Sequence, residues 1–128
     1  MRTIFVTCDQ NSLYYPRNQP NHFKVHLERP IRGKIALAEI HATGERRESL
    51  LVQCKELEAT DVFGRSAPVL RRVGPSKKNT WTNAYGHPYF VNLKSNSPIR
   101  ELEFIITDDE GSPVTTLRTI KLTLWTMS

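Results

Sequence analysis

Cysteine is scarce: the 128 residues contain two, Cys8 and Cys54. Two is too few for the disulfide scaffold of a small secreted domain. Both lie in apolar, strand-like runs, where a thiol packs as a small hydrophobe. A reducing compartment is the simplest reading, with a single bridge between them left open. Long hydrophobic runs are absent as well. No stretch approaches the roughly 20 apolar residues of a membrane helix, so no membrane span is expected. Ile4-Phe5-Val6 is too short for the apolar core of a signal peptide, and Asp9 follows closely. The expectation is a protein made inside the cell without a signal peptide. The chain also lacks a Gly-Lys-Ser/Thr phosphate loop, a Gly-x-Ser-x-Gly elbow and a dinucleotide fingerprint.

What is present is globular: 38% hydrophobic and 24% charged residues. The length suits one domain spanning residues 1–128, large enough to bury a core without staples. Lys and Arg number 18 against 13 acids, a net charge of +5. That balance permits an anionic partner without establishing one. The densest basic groups, Arg46-Arg47, Arg71-Arg72 and Lys77-Lys78, are pairs rather than a patch, so solvated surface is the favoured reading.

Short β-type segments separated by turn residues dominate the chain. They run over 3–8, 23–28, 34–42, 49–57, 67–73, 89–93, 101–107 and 116–127. In the second, Phe23, Val25 and Leu27 alternate with Lys24, His26 and Glu28. In the last, Ile120, Leu122 and Leu124 alternate with Lys121, Thr123 and Trp125. The Ala- and Leu-rich run over 34–42 has helix-favouring composition, but its neighbours argue for a strand. Residues 74–86, including Trp81, read as a polar loop, as do the residues around Tyr14 and Tyr15. Eight antiparallel strands without an amphipathic helix predict a two-sheet sandwich, with the jelly roll and the immunoglobulin-like fold as candidates. The Cys-Trp-Cys order of immunoglobulin domains is missing, because Trp81 follows both cysteines.

Nothing in the residues points to catalysis, a metal or a cofactor. His22, His26, His41 and His87 lack metal-site spacing. Asp108-Asp109-Glu110 precedes Gly111 as an exposed hairpin turn would, and the alternating ligands of a calcium loop are absent. Tyr14, Tyr15, Trp81 and Tyr85 are the candidate subunit-interface residues, since Tyr and Trp suit interface cores. The same rings, beside Arg17, Lys77 and Lys78, would also serve a ligand-binding sandwich for carbohydrate or peptide, or a small nucleic-acid-binding β-domain.

Three stretches together resemble a known family. They are Gly33-Lys34-Ile35-Ala36-Leu37-Ala38-Glu39-Ile40, the run from Leu51 to Cys54 continuing through Asp61 to Val73, and Leu102 to Val114. The last includes the Asp-Asp-x-Gly-x-Pro hairpin at 108–113. Their order and spacing resemble the single jelly-roll penton, or minor capsid, proteins of Polinton/Maverick elements and related viruses such as adintoviruses. The likeness covers most of the chain from residue 23 onward. It implies an eight-stranded antiparallel single jelly roll without enzymatic activity. It further implies a homopentamer at the five-fold vertices of an icosahedral virion, beside a double jelly-roll major capsid protein. Non-specific contact with packaged DNA would suit the positive charge.

Overall fold

A computed structural model describes residues 1–9, 18–45 and 48–128. Among these it contains eleven strands and no helix. They are β1 (Arg2–Asp9), β2 (His22–Ile31), β3 (Lys34–Gly44), β4 (Leu50–Cys54), β5 (Thr60–Val62), β6 (Arg65–Ala67), β7 (Val69–Val73), β8 (Thr80–Ala84), β9 (Phe90–Asn92), β10 (Ile99–Thr107) and β11 (Leu117–Met127). One sheet has the order β1-β11-β3-β8, with β9 also on β3; the other has the order β2-β10-β4-β7. Strands β5 and β6 form a separate hairpin. Every strand pair is antiparallel.

The core lies between the two larger sheets. Ile4, Val6 and Cys8 of β1 face it, as do Ile120, Leu122 and Leu124 of β11. From the opposite sheet come Phe23 and Leu27, Leu102, Phe104 and Ile106, and Leu50, Val52 and Cys54. Phe23 and Phe104 stack across the β2–β10 pair with ring centroids 5.3 Å apart. Alternation in β2 and β11 therefore names the inward faces correctly. Because Leu122 is 2% exposed, Leu122→Ala is expected to cost about 2–5 kcal/mol. Chemical denaturation reads this; a change inside the error of the measurement would contradict the assignment.

Strand β3 explains its own ambiguous sequence. Glu39 is opposite Thr123, but Leu37 is opposite Leu124, so Ala38 is an extra residue on β3. This bulge turns both Leu37 and Ile40 into the core, three residues apart. A strict strand could not do so, and the resulting spacing imitates a helix. The other edge of β3 is shared. Strand β8 takes Glu39–Thr43 and β9 takes Lys34–Ala36, while the Tyr85 amide between them donates to the Ala38 carbonyl at 2.8 Å.

The structure departs from the eight expected segments in two places. The polar stretch 74–86 contains β8, and Trp81 is an interior residue rather than part of a loop. Its polar neighbours Thr80, Thr82 and Asn83 hide the strand from a hydropathy reading. The residues between β4 and β7 form the β5–β6 hairpin, whose turn is Phe63-Gly64 with φ of 49° and 80°. Positive φ at both turn positions is the geometry of a type I′ hairpin, and Phe is an unusual occupant of the first. Cys8 and Cys54 are both buried and are not bridged to each other.

Candidate functional site

The two outer faces of the sandwich differ in chemistry. On the β2-β10-β4-β7 sheet several outward side chains are charged and pair with one another. Lys24 lies 3.7 Å from Glu101, and Lys55 lies 3.0 Å from Glu103. His22 Nε2 is 2.5 Å from the same Glu103 carboxylate. Glu56 accepts hydrogen bonds from the Glu103 amide at 2.7 Å and the Cys54 thiol at 3.4 Å. The hydrogen bond with His22, aided by Lys55, holds the Glu103 carboxyl below the usual carboxylate range against the opposing effect of burial. Burial, with Glu56 beside it, pushes the Cys54 thiol well above its ordinary value, so it packs rather than reacts.

The β5–β6 hairpin is braced on this side. Arg72 makes two hydrogen bonds to Asp109, at 3.0 and 2.8 Å, which hold the Asp109 carboxyl low. Arg65 donates to the main-chain carbonyls of Glu110 and Asp109. Asp108 accepts from the amides of Glu110 and Ser112, both at 2.9 Å. The acidic trio thus builds a turn and anchors the hairpin.

The outer face of the β1-β11-β3-β8 sheet is different. Cross-strand register places Thr7, Lys121, His41 and Thr82 in one row, and Phe5, Thr123, Glu39 and Ala84 in the next. These rows floor an open groove of about 540 Å³. Within it His41 Nδ1 and Thr82 Oγ1 lie 2.9 Å apart. Phe5 is 80% exposed beside it. Strand β1 sets this up directly, because Ile4 and Val6 point inward and Phe5 must then point outward. The sequence carried that signal, but the unbroken Ile-Phe-Val run disguised it.

The expected interface residues divide. Trp81 is 0% exposed and its indole N–H donates to the Glu48 carbonyl at 2.7 Å. It is a core residue, so its assignment to a subunit interface is corrected: the residues flanking it face out while the ring fills the interior. Tyr85 is half-buried against the core, with the Arg71 guanidinium 3.5 Å above its ring. Tyr14 and Tyr15 lie outside the described residues. Among the described residues no group of three or more His, Cys, Asp or Glu could hold a metal ion, and no helix is long and apolar enough to cross a membrane. No protein-family model, curated protein or solved structure matches the chain.

Proposed function

We propose that the chain is a structural capsid subunit: a single jelly-roll penton protein that closes into a homopentamer at the five-fold vertices of an icosahedral virion. The observation carrying this reading is the strand order. With the β5–β6 hairpin set aside and β8 and β9 taken as one interrupted strand, eight strands remain; counted afresh from one to eight along the chain, they are ordered 1-8-3-6 and 2-7-4-5. Such an interleaved order is the one expected of a double Greek key and supports the jelly-roll reading. An immunoglobulin-like sandwich would instead keep its first two strands side by side in one sheet.

The unequal faces support a ring. A closed ring of more than two subunits uses two different patches on each subunit. One sheet face offers the open Phe5 groove, and the other side offers the braced hairpin with Phe63 65% exposed at its tip. The charged sheet face is already satisfied internally and suits solvent. The major capsid protein of double jelly-roll type is the neighbour this role requires. A carbohydrate-binding module is less well supported, because Trp81 is interior and Phe5 is the only Phe, Tyr or Trp lining the groove among the described residues. The reading assigns no catalytic role. Electron-microscopic class averages of the purified protein test it: five-fold rings are expected, and two-fold dimers or isolated sandwiches would count against it.

A further inference from the structure

Three arginines that are distant in sequence meet at one end of the sandwich. Arg2 comes from β1, Arg29 from the end of β2, and Arg32 from the turn between β2 and β3. They line a cleft of about 810 Å³, together with Thr126 and Met127 of β11. Gly33 lets the turn close against β11: its φ is +91°, and a Cβ there would meet the Met127 carbonyl oxygen at 2.3 Å. Arg2 donates to the main-chain carbonyl of Arg29 at 3.0 Å, which ties β1 to the edge of β2. Arg100 reaches the adjacent Glu28 carbonyl at 2.5 Å and adds a fourth guanidinium at the margin.

The charges here are not neutralised. Arg29 and Arg32 are exposed and have neither an ion pair nor a side-chain hydrogen bond among the described residues. No acidic side chain and no aromatic ring lines the cleft among those residues. Holding like charges together without counter-ions is unfavourable, and an anion relieves it. Guanidinium forks match phosphate oxygens. Without a ring, the cleft has no platform for stacking a base or a sugar, so it suits a phosphate backbone rather than an exposed base or a glycan.

We propose that this cleft binds the phosphate backbone of duplex DNA without reading its sequence. Identifying that DNA as a packaged genome rests on the vertex reading; the binding itself does not. The test is titration of a labelled duplex into the full chain by fluorescence anisotropy, across about 50 to 200 mM salt. Each phosphate contact contributes about 0.9 to the slope of log affinity against log salt. Arg29→Ala/Arg32→Ala is therefore expected to weaken binding and lower the slope by about 2. Lys77→Ala/Lys78→Ala removes the same charge from the opposite end of β3, where the Gly44 amide meets Asn79, and is expected to leave the slope unchanged. Arg29→Lys/Arg32→Lys keeps the charge and should retain most of it.

Equal losses in the alanine pairs would overturn the site in favour of a diffuse field. Absence of duplex binding at the lowest salt would overturn it as well. Binding of a sulfated polysaccharide with no binding of duplex would assign the cleft to a glycan instead. Solution mass measured on the same samples separates this inference from the vertex reading. A monomer that binds duplex through the arginines contradicts the ring alone, whereas a five-subunit species blind to DNA contradicts the cleft alone.

Discussion

Trp81→Ala is expected to remove about 3–5 kcal/mol of stability. The ring is completely buried between the sheets and is among the largest fully buried side chains. Its loss leaves a cavity that the rigid β3–β8 pair cannot collapse, and it also removes the indole donor to the Glu48 carbonyl. A domain of this size is typically stable by only about 5–15 kcal/mol, so the variant should melt far below the parent. Trp81→Phe keeps most of the apolar volume and loses only the donor, so it should cost less, about 1–3 kcal/mol. Urea denaturation of both variants reads the difference. Two near-neutral variants would place Trp81 outside the core.

Phe5→Lys should behave in the opposite way. The ring is 80% exposed, so its replacement is expected to change folding stability by no more than about 0.5 kcal/mol. Truncating a central aromatic contact at an interface commonly costs about 2 kcal/mol or more, and a lysine adds an unpaired charge beside Lys121. Subunit association should therefore weaken by about 30-fold or more. Concentration-dependent sedimentation gives the association constant while thermal melting reports the fold. Unchanged association would remove the Phe5 face from the interface, and a collapsed melting temperature would make Phe5 a structural residue.

This contrast shows where the sequence was informative. Strict alternation in β2 and β11 made their inward faces legible, since Phe23, Val25 and Leu27 and then Ile120, Leu122 and Leu124 each put apolar side chains on one face. Strand β8 was opaque because it buries a single residue, Trp81, among polar neighbours. The bulge at Ala38 was opaque for another reason: it shifts the period within one strand, which a fixed period of two cannot describe. The β5–β6 hairpin was legible only as a turn at Asp61 and Gly64. The positive φ of Phe63 lies at a position where its residue type gives no signal, and the contacts that hold the hairpin, from Arg65 to the Asp109 and Glu110 carbonyls and from Arg72 over the Phe63 ring, join residues distant in sequence.

The candidate sites followed the same logic. Phe5 could be reached from β1 alternation once its inward partners were known. The arginine cleft could not, because Arg2, Arg29 and Arg32 are brought together only by the meeting of β1, β2 and β11 at one end of the sandwich. In the sequence the basic residues look dispersed, and the closest pairs, such as Lys77-Lys78, are not the ones that converge.

The central claim is that the sandwich closes into a ring of identical subunits, and solution mass by light scattering tests it most directly. The account predicts a species of five times the 14.7 kDa chain mass, reduced to the single-chain mass by Phe5→Lys. A parent protein that remains a single chain across the whole concentration range, or one that stops at a two-fold dimer, would contradict it.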